Sequence, residues 1–433
     1  MKIGLLGYGL AGWGGGRDIL RQFMAALTAV QQSHGLEITV LLPDSTPGWP
    51  KDLDATSLAR GLLRAGAVRL AKRVRWALQD RRAGARKLDE LILDLGLSAT
   101  GPIRLRACRD LPGLRAACIS LRLDALVACQ QNLGMDFPIP WCGYLPDVQH
   151  CRLPHMFSQA EIEQRDAQFA AMLAEADAML ATSRAVADDL NEFFGVPRQC
   201  SVLPMAWMPV DRPSQEAARG AAAQYGIGGP YFIICNQFWR HKDHETAFRA
   251  FAAVRNSAAG AGLALVCTGD TGDYRHKDHF PRMSALLEEL GIAPHVRILG
   301  RIPKSDQFAL LSGAAALIQP SLFEGTRGGL AVADALALAR PCIVSDIAVN
   351  REIDEPGVRF FRVGDHDDLA RQMHEILVDP PRTRDPSELP RVCEERLRAL
   401  GESLIGAATA AVAARRTRVD VEPSALGAPA HAS

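Results

Sequence analysis

Two carboxylates flank a glycine-rich stretch, Pro320-Ser321-Leu322-Phe323-Glu324-Gly325-Thr326-Arg327-Gly328-Gly329-Leu330-Ala331-Val332-Ala333-Asp334-Ala335. The apolar run 314–318 predicts a strand leading into it, and the Ala/Leu-rich run 330–339 predicts a helix leading out. A helix start offers free backbone N–H groups and the positive end of a dipole, which together favour a phosphate. Carboxylates beside such a point accept hydrogen bonds from the hydroxyls of a sugar or a ribose. The segment reads either as a nucleotide-sugar site or as a plain strand-loop-helix unit whose glycines only make the turn.

A second glycine run, Gly7-Tyr8-Gly9-Leu10-Ala11-Gly12-Trp13-Gly14-Gly15-Gly16-Arg17, follows the first apolar segment. Gly7, Gly9 and Gly12 match G-x-G-x-x-G, the dinucleotide fingerprint, and suggest an NAD(P)-dependent oxidoreductase. That fingerprint needs a helix opening near Gly12, and Gly14, Gly15 and Gly16 would weaken a helix there. The acidic ribose partner expected about 20 residues on is missing, since Asp44 comes much later. The alternatives are a turn-forming run, or a long flexible loop before a helix at Arg17 or Asp18. Such a loop would let backbone N–H groups reach a phosphate or sugar across a cleft.

The elements that must carry these loops come in two series. Strands are predicted at 2–6, 37–42, 125–128, 140–144, 178–181 and 200–203, then at 231–235, 264–268, 296–299, 314–318, 341–344 and 358–361. Helical patterns such as 162–176 and 283–290 lie between them. This alternation specifies an α/β chain with parallel sheets covered on both faces. A length of 433 residues suits two or three domains. The boundaries expected are an N-terminal Rossmann-like domain (1–205), a linker (206–230), a C-terminal Rossmann-like domain (231–385), a final helix (386–412) and a disordered tail (413–433).

Lys plus Arg and Asp plus Glu each number 49, which argues against a nucleic-acid partner. No run of 18 apolar residues appears, so no spanning helix is expected, and the start of the chain lacks a cleavable signal pattern. None of the ten cysteines forms a C-x-x-C pair, which favours reduced thiols over disulfides or zinc and suggests the cytoplasm. Residues 60–87 are basic with interleaved Leu, Val and Trp. They read either as a surface for an anionic leaflet, giving a peripheral location at the inner face of the membrane, or as a solvated helix face packed on the first sheet.

The pattern Glu324-Gly325, Asp334-Ala335, Ala339-Arg340-Pro341, Ser345-Asp346 and Glu352 resembles family 4 of the retaining GT-B glycosyltransferases. Asn236-Gln237-Phe238-Trp239-Arg240-His241-Lys242, Pro146-Asp147-Val148-Gln149-His150, Thr182-Ser183 and Leu299-Gly300-Arg301-Ile302-Pro303 resemble its bacterial surface-polysaccharide branch. The resemblance covers about residues 1–380. It implies two Rossmann-like domains facing a cleft (GT-B) and transfer of a sugar from a nucleoside-diphosphate sugar to a glycan or lipid-linked acceptor. It implies neither cofactor nor metal.

In residue terms, the resemblance gives Glu324 and His150 to the reacting sugar, with a structural or surface role as the alternative for His150. Lys242, Arg240, Gly15, Gly16, Arg327 and Gly328 are given to the diphosphate, and Asp334 and Arg301 to the ribose and base. Three features depart from the family. Asp replaces the second Glu, two extra residues separate the carboxylates, and neutral Gln237 stands where the family has a clamp Arg. Arg327, in the longer loop, either bonds phosphate or is a solvated loop arginine. The altered clamp leaves open a nucleotide-sugar-binding protein without turnover.

Overall fold

The computed structural model describes residues 1–43, 91, 92, 95, 102–195, 200–204 and 206–421. The basic stretch 60–87 and Asp44 lie outside the described residues.

The first half runs β1 (Lys2–Leu6), α1 (Gly14–His34), β2 (Glu37–Pro43), β3 (Ile103–Cys108), α2 (Leu111–Leu121), β4 (Ala125–Cys129), β5 (Trp141–Leu145), α3 (Gln149–Arg152), α4 (Gln159–Glu175), β6 (Ala178–Ala181), α5 (Arg184–Phe194) and β7 (Cys200–Val202). Its strands form one parallel sheet in the order β3-β2-β1-β4-β5-β6-β7. Strands β4, β5 and β6 are buried at every position, because apolar layers cover both faces. Strand β3 has no counterpart in the sequence reading. It pairs only with β2, and Arg104 and Arg106 alternate along it, so this edge strand lacks an apolar run.

The second half contains α6 (Gln215–Gln224), β8 (Tyr231–Cys235), α7 (His244–Arg255), β9 (Ala264–Thr268), α8 (His279–Glu289), β10 (Val296–Gly300), α9 (Lys304–Gly313), β11 (Leu317–Gln319), α10 (Gly329–Ala337), β12 (Cys342–Ser345), β13 (Val358–Phe361), α11 (His366–Val378) and α12 (Leu389–Val421). Its parallel sheet has the order β10-β9-β8-β11-β12-β13, with an apolar cluster on each face. The expected α/β architecture of two Rossmann-like halves is the one observed. Strand β11 starts later than 314–318, because Ala314 closes α9 and the polar Gln319 completes the strand.

Segment 206–230 is packed into the body of the protein: Ala206 and Met208 lie on the first core, and most of the rest on the second half. Trp207 and Ile227 are buried in its core, and α6 packs on α9. Helix α12 joins the halves. Val392 and Cys393 enter the second core, whereas Leu397, Leu400, Leu404, Ala407, Ala408 and Ala411 enter the first. By length and composition α12 could span a membrane, but these apolar residues are spent on the protein interior.

Of the disordered tail expected over 413–433, residues 422–433 lie outside the described residues, and the first part is corrected, since α12 continues to Val421. An Ala-rich run with no breaker before Pro423 sustains it, and Arg415 anchors it. The Arg415 guanidinium donates to both carboxylate oxygens of fully buried Asp177, at 2.8 and 2.7 Å, and to Phe137 O at 2.8 Å. All ten cysteines are free.

Candidate active site

The C-terminal strand edges of the two sheets face each other. The loop after β11 meets the residues after β5 and β6: Gly325 O accepts from Thr182 Oγ1 at 2.6 Å and from Ser183 Oγ at 3.1 Å. A Cβ on Gly325 would stand 2.1 Å from Pro146 O, so only glycine allows this approach. Ligands of doubly wound sheets sit at such strand ends.

One residue before the clasp lies Glu324, 9% exposed. Its Oε1 accepts from Lys242 Nζ at 2.5 Å and from Gln319 Nε2 at 2.6 Å. Gln319, at the end of β11, is itself held by Asn236 Nδ2 at 2.9 Å, just past β8. A buried polar chain therefore fixes the rotamer of Glu324. Among the described residues none donates to Oε2, and that oxygen remains able to accept from a hydroxyl. Glu324 and Lys242, separated by 82 residues in sequence, are thus brought into one site.

Asp334, on α10, pairs with Lys304 at 2.5 Å, and Lys304 also faces Asp18 of α1 at 3.9 Å. Burial pushes the Asp334 carboxyl above its ordinary range against the pull of Lys304. This triad brings the start of α1, with Gly15 and Gly16, up to the second half. That start corrects a sequence expectation: α1 opens at Gly14, so Gly14, Gly15 and Gly16 belong to the helix and not to a flexible loop. The reason is close packing. A Cβ on Gly16 would lie 2.2 Å from Leu10 O, so the tight turn beneath the helix demands glycine despite its low propensity.

Other expected site residues fall elsewhere. His150 is corrected from a pocket residue to a core residue. It is fully buried against Phe157, Phe169 and Phe194, with Nε2 on Asp166 at 3.0 Å. Burial, opposed by Asp166, lowers its pKa. Its neighbour Gln149 faces the second half instead and accepts from Arg275 at 3.4 Å. Arg327 is not a solvated loop arginine. It is 16% exposed and pairs with Glu352 at 3.0 Å. Glu352 also accepts from the N–H groups of Arg184 and Ala185, at the start of α5, and so ties the halves together.

The Gly328 N–H is donated to Asn350 Oδ1 at 2.8 Å, which removes it as a diphosphate donor in this conformation. Arg240 is exposed; its backbone N–H is donated to Asp273 and its carbonyl accepts from the Asp243 N–H. Arg301 is exposed and pairs with Asp270 at 3.0 Å.

Sequence reasoning missed Gln319, Asn236 and Lys304. Gln319 and Asn236 carried a signal, as polar residues closing two apolar strand runs. Arg275 was also missed. It lies over the rings of Phe157, Trp239 and Tyr274, with centroid distances of 4.2, 4.8 and 5.2 Å, and so cements the cleft from both sides. Among the described residues one cluster, His150, Cys151 and Asp166, brings three possible metal-ligand atoms within 4.8 Å of one another.

Residues 223–395 match the family described as Glycosyl transferases group 1. No curated protein matches the chain. Solved structures match over nearly its whole length. Sucrose-phosphate synthase from Thermosynechococcus elongatus superposes with a TM-score of 0.58 at 18% identity, over 98% of this chain and 100% of that one. Anabaena Alr3699/HepE in complex with UDP and glucose gives 0.57 at 13%, over 98% and 100%. WaaG, a glycosyltransferase involved in lipopolysaccharide biosynthesis, gives 0.54 at 13%, over 95% and 98%. The chain has the GT-B fold. With the group 1 domain in its second half, it is a glycosyltransferase. The oxidoreductase reading of Gly7, Gly9 and Gly12 is not favoured.

Proposed function

We propose that the chain is a retaining glycosyltransferase of family 4, moving a sugar from a nucleoside-diphosphate sugar to a polysaccharide or lipid-linked glycan. The observation that carries this reading is Glu324. One of its oxygens is held by Lys242 and Gln319, and the other is open.

In this reading Glu324 Oε2 accepts a hydroxyl of the donor sugar and orients it. Lys242, displaced from Glu324, turns to the diphosphate, supported by Arg240 and the backbone of Gly15 and Gly16. Negative charge grows on the leaving diphosphate as the glycosidic bond breaks, and fixed cations lower that barrier. Asp334 accepts the ribose hydroxyls once Lys304 yields, and Arg301 lies toward the base. The acceptor enters from the first half and attacks the face that the diphosphate leaves, which preserves the anomeric configuration. No metal is called on, because side-chain cations neutralise the diphosphate.

Uridine is the base to try first, since a similar structure is described in complex with UDP-glucose. We place the protein in the cytoplasm, or peripherally at the inner membrane face through residues 60–87. The deciding experiment is incubation of the full chain with a panel of nucleotide sugars, following release of nucleoside diphosphate. Steady release with at least one donor supports the reading. Melting shifts without release would leave the turnover-free binding protein, and no shift with any donor would overturn both.

A further inference from the structure

A cavity lies away from the cleft, at the opposite, N-terminal edge of the second sheet. It measures about 730 Å³, and its wall includes Arg212, Arg219, Ser312, Tyr231 and Arg340. Tyr231 opens β8, Ser312 and Gly313 end α9, and Arg340 precedes β12, so the wall collects strand starts and not strand ends. Helix α9 runs from Lys304 at the cleft to Gly313 at this cavity, and its ten residues span about 15 Å.

Three arginines line this hollow and no Asp or Glu does. Elsewhere carboxylates neutralise arginines, as at Arg152, Arg327, Arg384 and Arg415. Here, among the described residues, none of the three guanidiniums has a carboxylate partner. The Arg340 side chain reaches one carbonyl, Ala314 O at 2.7 Å, while its buried Nε has no partner. Arg340 and Arg212 repel each other across the pocket. Gln215, the first residue of α6, also lines the hollow, which adds the positive end of a helix dipole. Uncompensated charge around a concavity of drug-sized volume fits an anionic ligand larger than one phosphate.

We propose that this cavity binds a small molecule carrying phosphoryl groups, at a site separate from the donor cleft. Arg212 and Arg219 grip the phosphoryl oxygens from the rim, and Arg340 donates from the floor. The same chemistry occurs on phospholipid headgroups, but a concave hollow suits a soluble ligand better than a flat leaflet.

Inorganic pyrophosphate is the probe, titrated calorimetrically at low ionic strength into the full chain and three variants. In the Arg212→Gln/Arg219→Gln double variant the affinity of this site should fall at least about tenfold. The site should persist in Lys242→Ala, where the cleft is altered. Arg340→Gln should weaken it as well. If Arg340→Gln fails to fold, the exposed pair still decides. Identical isotherms for the native chain and the double variant would overturn the proposal. So would no pyrophosphate binding at about 1 mM, or arginine-dependent binding only to phosphatidylglycerol vesicles.

Discussion

Replacing Glu324 by Gln separates two roles of one side chain. In the ligand-free protein the Lys242 side chain is 18% exposed and the Glu324 side chain 8%, and they meet at 2.5 Å. At an effective dielectric near 20, their gross attraction is about 7 kcal/mol, most of it offset by desolvation. Removing one partner of such a pair costs roughly 3–5 kcal/mol of folding stability. Any diphosphate that recruits Lys242 must first break this pair, so Glu324→Gln frees the ammonium in advance. UDP should therefore bind Glu324→Gln at least as tightly as it binds the native protein. Turnover should fall about 100- to 1,000-fold, the usual effect of losing one preorganised electrostatic contact.

Calorimetry with UDP and steady-state release of diphosphate measure the two effects separately. Circular dichroism and urea unfolding check that the variant is folded. A folded Glu324→Gln enzyme with native turnover would refute the catalytic argument. A loss of UDP affinity beyond tenfold would refute the competition argument.

Arg415→Leu should destabilise the protein by about 3 kcal/mol, because the buried Asp177 carboxylate would keep only the Trp141 N–H and the more distant Arg418, at 3.7 Å; urea unfolding reads this directly. Ala339 holds φ at 54°, a left-handed conformation that suits glycine, and Ala339→Gly should raise stability by about 0.5–1 kcal/mol in the same assay. His244 is fully buried and stacked on Phe238, both ring nitrogens lack partners, and burial lowers its pKa to about 3. Unfolded histidine takes a proton near pH 6.5, so the stabilisation is complete above that pH and is lost as pH falls toward 3, by about 1.4 kcal/mol per unit. His244→Phe should flatten the acid limb by about one proton in unfolding measured from pH 7 to 5. Gly325→Ala should lower turnover while leaving each half folded, and scattering should show a wider molecule.

The sheets could be read from the sequence because most of their strands are buried on both faces and appear as unbroken apolar runs. Strand β3 was invisible because Arg104 and Arg106 interrupt the run at an edge that packs on one neighbour. Glu324 stood out beside its glycine loop. The match of Lys242 to the family clamp gave no hint that it would touch Glu324 82 residues on. His150 misled because α3 is a single turn, in which adjacent residues point about 100° apart, so Gln149 takes the cleft and His150 the core. The start of α1 was misplaced because propensity disfavours three glycines, and close packing against Trp13 and Leu10 accounts for Gly15 and Gly16. Arg327 was ambiguous because its partner, Glu352, lies 25 residues away and caps a helix of the other half.

The main-chain oxygen of Gly325 and the carboxylate of Glu324 belong to consecutive residues. When the lobes part, the hydroxyls of Thr182 and Ser183 must let go of that oxygen, and the neighbouring carboxylate, held by its own half, moves away from the first half. In the proposed reaction, departure of spent nucleotide and loosening of the sugar's anchor are therefore a single mechanical event. Those two hydroxyl contacts, together with the Glu352 and Arg275 bridges, then resist each reopening.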